Sequence, residues 1–267
     1  MAGADFLRLS PDNVAAESDW WHQNDADWCR AFGGQIIAHC LRAASSRAPK
    51  GFSCHSLHAH FLQAGLMVET QYVVASVRVG KSYAVYEVTA VETNTKRRTL
   101  AKAVVSFCRQ EGGAQLHVDP FPTWGAREIP IGNAATLPPI LGSSSPSAPW
   151  PQAVPADDSG HRWYLQPWRG GNGNGGVLNA SSVRDVHAAA LAFISDYSFL
   201  WSAHAAHKDL YDVRFLTSLD HTIYIHSRTF DASNPMLCET DAPFVAAGRA
   251  VVRGRIWCVP HRLDVMM

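Results

Sequence analysis

The sequence predicts an α+β fold made of two copies of one helix-plus-antiparallel-sheet unit. Three observations predict it. Residues 33–47 carry an apolar stripe at helical spacing. Four runs rich in Val, Tyr, Phe and Thr follow, separated by turn residues. After a stretch dense in Pro, Ser, Ala and Gly, the same order of helix then strands returns.

The first helix lies in "FGGQIIAHCLRAAS", Phe32 to Ser45. Ile36, Ile37, Cys40, Leu41 and Ala44 fall on one face of a helix over 33–47, and Pro49 and Gly51 stop it. Gly33 and Gly34 stand at its mouth, although glycine disfavours helix. Either a ligand approaches the backbone there, where the first amides lack intrahelical acceptors, or the packing is too close for a side chain. The strand runs are "SCHSLHAHFL", "VETQYVVASVRV", "SYAVYEVTAVET" and "TLAKAVVSFCR", punctuated by Gly65, Gly80-Lys81 and Asn94-Thr95.

Residues 1–109 thus form the first unit, and 110–160 read as a linker in which prolines oppose helix and strand. Residues 161–267 form the second. "HRWYLQPWR" is a strand and "GGNGNGG" a tip. "SVRDVHAAALAFISDYSFLWSAHA" is a long helix with Val186, Ala190, Phe193, Tyr197 and Leu200 on one stripe. "SLDHTIYIHS", "PMLCETDAP" and "AVVRGRIWCV" are strands. "SLHAHF" (Ser56–Phe61) and "SLDHTI" (Ser218–Ile223) echo each other, each opening the first strand after a helix.

Composition narrows the function classes. The chain has 267 residues, 47% hydrophobic and 17% charged, enough for a sizeable core and unlike a disordered chain. Lys+Arg and Asp+Glu both number 23, so no basic surface for nucleic acid is suggested. The densest basic run, Lys96-Arg97-Arg98, reads as a solvated hairpin tip. No apolar run approaches the roughly 20 residues of a membrane span. The start lacks a basic n-region and an apolar h-region, and the end is not an S-K-L tripeptide. Cys29, Cys40, Cys54, Cys108, Cys238 and Cys258 show no C-x-x-C spacing, so they are expected as free thiols inside a cell.

The chemistry-bearing residues are few. G-x-S-x-G, Walker and G-x-G-x-x-G sequences are absent. His58 and His60 share a strand face, but no third metal ligand accompanies them, so they are expected as partly buried strand histidines. Asp196 lies in "LAFISDYSFLW", among Phe193, Phe199 and Leu200. There it is either a partly desolvated base or a polar residue at the stripe's edge. Ser218 precedes Asp220 at a strand start. Leu219, Ile223 and Ile225 look core-facing, which turns Ser218 to the other face unless a bend intervenes.

Together "FGGQIIAHCLRAA", "HSLHAHFLQAG", "VRVGKSYAVYEVTAVE" and "AVVSFCR" resemble the N-terminal half of the acyl-coenzyme A thioesterase II family. "HRWYLQ", "LAFISDYSFL", "SLDHTIYIH" and "AAGRAVVRGRIW" resemble its C-terminal half. The resemblance implies a double hot-dog, two units that each wrap an antiparallel sheet around a long helix. It implies hydrolysis of acyl-CoA to free acid and CoA, with acyl-CoA as partner, no cofactor, no metal, and a cytoplasmic or peroxisomal place. Self-association into a homo-oligomer stays open. The family's catalytic aspartate matches Asp196 and its hydroxyl residue matches Ser218. Gly33 and Gly34 fall where helix amides approach the thioester. The family's glutamine sits in a final Gln-Glu-Gly strand. Here no glutamine follows Gln166 and the chain ends "VPHRLDVMM", so that strand is expected to be missing or replaced. A non-catalytic acyl-CoA-binding homologue is the alternative. A hot-dog hydratase is disfavoured, because no aspartate is followed by histidine at the Asp-x4-His spacing.

Overall fold

The computed structural model describes residues 9–10, 12, 14–15, 31–65, 69–94, 97–112, 153–155, 162–165, 185–205, 216–227, 229–232 and 236–258. The elements, in chain order, are β1 (Val14–Ala15), α1 (Gly33–Arg47), β2 (Phe52–Phe61), β3 (Thr70–Val79), β4 (Tyr83–Glu92) and β5 (Thr99–Arg109). Then come β6 (Ala153–Pro155), β7 (Arg162–Leu165), α2 (Val186–Ala205), β8 (Asp220–Tyr224), β9 (Met236–Ala246) and β10 (Arg249–Cys258).

The expected stripe of α1 is buried, and so is nearly all of the helix from Gly34 to Ser45, so the burial is not confined to one face. Ile37, Cys40, Leu41, Ala43 and Ala44 are fully covered, and the helix lies against β2, β3, β4 and β5. It ends at Ala48, whose amide donates to the carbonyls of Ala44 and Ser45 before Pro49. The strands alternate as a half-buried sheet requires. Ala84, Tyr86, Val88 and Ala90 of β4 face the core, as do Ala101, Ala103, Val105 and Phe107 of β5. A register shift between Cys54 and Ser56 breaks this alternation in β2, so Cys54, Ser56 and Leu57 are all buried.

Two antiparallel sheets result, in the orders β1-β3-β4-β5-β2-β8 and β10-β9-β7-β6. The echoing segments become neighbours. β8 pairs with β2, placing His58 opposite Thr222 and His60 opposite Asp220. Contacts gather the chain into two units. One comprises 1–111, 176–197 and 217–229, and the other 112–175, 198–216 and 230–267.

Several expectations need correction. Arg98 is not simply solvated. Its guanidinium grips the fully buried Glu92 carboxylate through Nε at 2.9 Å and Nη2 at 2.7 Å, closing the β4–β5 hairpin. Within the stretch expected as linker, β6 is a strand. Its Pro155 is tolerated because β6 lies at the sheet edge, where a missing N–H costs no ladder bond. His58 and His60 are exposed rather than partly buried. The early part of α2 is buried nearly all round, from Ala188 to Ala190 and from Ala192 to Asp196, rather than along one stripe. The "GGNGNGG" tip, most of 110–160, Cys29 and the chain beyond Cys258 lie outside the described residues. No described helix is long and apolar enough to cross a membrane.

Candidate active site

The site belongs to the first unit and draws on four elements: the start of α1, the end of β2, α2, and the bend before β8. Asp196 is 5% exposed. The edge-of-stripe alternative is therefore excluded. Its two oxygens meet different surroundings. Ser218 Oγ donates to Oδ1 at 2.6 Å. Oδ2 lies beside Gly33, so near that a Cβ there would stand 2.7 Å from it.

Ser218 reaches Asp196 because it precedes the strand. β8 begins at Asp220, and the chain bends at Leu219. Leu219 is 58% exposed, which corrects its expected place in the core, while Ile223 and Ile225 are buried as expected. The residue that shares their parity is His221. Strand alternation therefore turns an imidazole toward α2.

His221 joins two consecutive residues of α2. Its Nε2 lies 2.8 Å from Ser195 Oγ, and its Nδ1 lies 3.8 Å from Asp196 Oδ1. Ser195 Oγ also donates to the carbonyl of Ala192 at 2.9 Å. Burial pushes the imidazole below its ordinary value, outweighing the upward pull of Asp196 and Asp220. Sequence reasoning missed His221 and Ser195. The available signal was parity, since His221 alternates in step with Leu219, Ile223 and Ile225, the set expected to face the core.

The glycine pair divides. The N-cap of α1, Phe32, provides no side-chain hydrogen bond, and no acid occupies the first turn. The amides of Gly33 and Gly34 have no intrahelical acceptor. A Cβ on Gly33 would meet Asp196 Oδ2 and the Phe61 ring. A Cβ on Gly34 would meet the Phe32 ring at 2.4 Å and the Phe193 carbonyl oxygen at 2.6 Å. The Phe32 and Phe193 rings themselves stack edge-on with centroids 5.0 Å apart. Gly33 thus borders the carboxylate and Gly34 borders helix packing. Among the described residues no group of three His, Cys, Asp or Glu could hold a metal.

The chain resembles known proteins along most of its length. Residues 24–108 match the family profile of the acyl-CoA thioesterase N-terminal domain, and residues 146–263 that of its C-terminal domain. The chain is 28% identical over 262 residues to acyl-coenzyme A thioesterase 8 of Rattus norvegicus, covering 85% of this chain and 75% of that protein. It is 25% identical over 261 residues to acyl-CoA thioesterase 2 of Haemophilus influenzae, covering 87% and 84%. The acyl-CoA thioesterase II TesB2 of Mycobacterium marinum superposes with a TM-score of 0.67 at 24% identity, covering 97% and 91%. A protein with a hot dog fold from Alicyclobacillus acidocaldarius superposes with a TM-score of 0.64 at 15% identity, covering 96% and 91%.

Proposed function

The chain belongs to the acyl-CoA thioesterase II family, with its α+β double hot-dog fold, and we propose that its hydrolysis of acyl-CoA runs through Asp196 and Ser218. The observation that carries this is the bond from Ser218 Oγ to the buried Asp196 carboxylate, beside the open end of α1. The repeated order of helix then strands supports reading the two hot-dog units as 1–109 and 161–267. On the same family ground we place the chain with an intracellular acyl-CoA pool, cytoplasmic or peroxisomal.

A thioester carbonyl is electrophilic enough for direct attack by water, so no enzyme nucleophile is required. The mechanism needs a base for the water's proton and a donor for the developing oxyanion. Asp196 is the base. Ser218 fixes one carboxylate oxygen, which leaves a single orientation for the other. The Gly33 and Gly34 amides, at the positive end of α1, supply the donors for the oxyanion. The tetrahedral intermediate then collapses with departure of the CoA thiolate.

Asp196→Asn keeps the shape and the hydrogen bond from Ser218 but cannot take up the proton. It should lower kcat by about 10²–10⁴-fold with little change in melting temperature. The check is release of CoA thiol from an acyl-CoA, followed with a thiol reagent. Wild-type turnover in the Asn variant would remove Asp196 from the role.

A further inference from the structure

We propose that the cavity at the β3–β4 hairpin is a second ligand site, separate from the Asp196 carboxylate, that takes a nucleoside monophosphate.

The cavity measures about 570 Å³, within the size range of small-molecule sites. Alternation places its residues. Ala84 and Tyr86 of β4 and Val105 and Phe107 of β5 are buried on the helix side, so Val85 and Ser106 turn to the other face of the sheet. Arg78, Val85 and Ser106 stand in one row across β3, β4 and β5.

Two irregularities build its walls. On β3 the register shifts between Ser76, opposite Tyr86, and Arg78, opposite Val85. In a regular ladder continued from Ser76, Arg78 would fall opposite Ala84 and turn toward the helix. On β2 the register shifts between Cys54, opposite Phe107, and Ser56, opposite Ser106, which leaves His55 outside the ladder with β5. The His55 ring lies 2.8 Å from Ser106 Oγ through Nε2 and edge-on to Tyr83, with centroids 5.8 Å apart. Bulges re-aim side chains in this way beside functional sites.

The lining is cationic. Arg78 and Lys81 belong to it, and among the described residues no Asp or Glu does. Gly80 leaves room for the guanidinium to fold along the hairpin, since a Cβ there would stand 3.9 Å from Arg78 Nε. The tip that carries Lys81 and Ser82 is held from two sides. Gly80 N–H donates to the Tyr83 carbonyl, and Arg109 N–H to the Ser82 carbonyl, each at 2.8 Å. Glu87, further along β4, is paired with Lys102 at 3.0 Å. A planar fork and a point charge side by side suit a phosphate. Beside them Tyr83 is 55% exposed, an aromatic surface that a flat heterocycle covers. The hydroxyls of Ser82 and Ser106 suit ring heteroatoms and a ribose. Phosphate, ribose and heterocycle together make a nucleotide.

The nucleotide end of acyl-CoA bound at Asp196 is not this ligand. Both places lie in the first unit. Asp196 and Gly33 meet the Phe61 ring at the end of β2, on the side of α1. His55 lies near the start of that strand, roughly 20 Å away at the rise of an extended chain. β2 runs inside the sheet between β5 and β8, so a pantetheine arm would have to round the end of the sheet to reach the other face. The cavity therefore does not depend on the role of Asp196.

The test is calorimetric titration of the full chain with adenosine monophosphate and, separately, with inorganic phosphate, with acyl-CoA hydrolysis measured alongside. Adenosine monophosphate should bind the more tightly. Arg78→Gln and Lys81→Gln should each weaken both ligands by about tenfold or more. Tyr83→Ala should weaken the nucleotide alone. All three side chains are exposed, so the variants should fold and keep the wild-type KM for acyl-CoA. Absence of nucleotide binding would overturn the proposal, as would equal binding of nucleotide and phosphate. So would competition with substrate: if adenosine monophosphate raised the KM for acyl-CoA in the wild type but not in Arg78→Gln, the cavity would hold the substrate's own nucleotide end.

Discussion

Burial of His221 couples the site to the stability of the fold. Its folded value lies below the ordinary 6.5 that the unfolded chain keeps. Above pH 6.5 the ring is neutral in both states, and its packing contributes in full. As the pH falls below 6.5, the unfolded chain takes up a proton that the native site resists, so stability declines until the folded value is passed. Melting temperatures between about pH 7.5 and about pH 5 should therefore fall more steeply in the wild type than in His221→Gln. Parallel slopes would show that the ring's burial has no such consequence. The sequence exposed only part of this residue-level chemistry. Asp196 stood out because a carboxylate sits among aromatic and aliphatic neighbours on α2. Ser218 stood out only through family resemblance, since its geometry depends on a bend at Leu219 that alternation cannot reveal. His221 shares the parity of Ile223 and Ile225, but a histidine between apolar strand residues names no partner, and Ser195 lies 26 positions away in the chain.

At the scale of the elements, the start of α1 sets two adjacent glycines against different neighbours, Gly33 against the Asp196 carboxylate and Gly34 against the Phe32 ring and the Phe193 carbonyl. Gly33→Ala would drive a methyl against Asp196 Oδ2, a side-chain atom that can turn away. The carboxylate would rotate off Ser218, so kcat should fall about tenfold or more while the melting temperature changes little. Gly34→Ala would drive the methyl into the Phe193 carbonyl and the Phe32 ring. Backbone cannot turn away, so this variant should lose about 1–3 kcal/mol of stability, read by urea melts, and keep most of its kcat. Equal effects of the two substitutions on rate would refute the division. Elements such as α1 and β2 to β5 were legible because their signals are local: a helical stripe ended by proline, and alternating runs cut by turn residues. β1 and β6 were not. They have two and three residues, too short for any period, and they exist only because a neighbouring strand supplies the hydrogen bonds.

Across the molecule, the pairing of β8 with β2 matters most, and no local pattern announces it. The echo of "SLHAHF" in "SLDHTI" hinted that the segments play like roles, but adjacency is a tertiary fact that brings residue 58 beside residue 222. It also places the site at a margin. β8 has five residues and ends the strand order, with β2 as its neighbour, whereas β4 is held on both sides by β3 and β5. Two bonds lengthen its attachment, Phe61 N–H to the Leu219 carbonyl at 2.9 Å and Ile225 N–H to the His55 carbonyl at 2.8 Å. An end strand so short should open at lower free energy than the sheet interior, as weakly held segments do. Opening it withdraws His221 from Ser195, and Ser218 from Asp196, while leaving the remaining ladders intact. Acyl-CoA hydrolysis should therefore fail at a lower urea concentration than the far-ultraviolet signal of the sheets. In hydrogen exchange, the amides of Asp220–Tyr224 should exchange well before those of Tyr83–Glu92. If activity and secondary structure were lost at one midpoint, and both strands exchanged together, β8 would be part of the global cooperative unit. The site would then be as stable as the sheet that carries it.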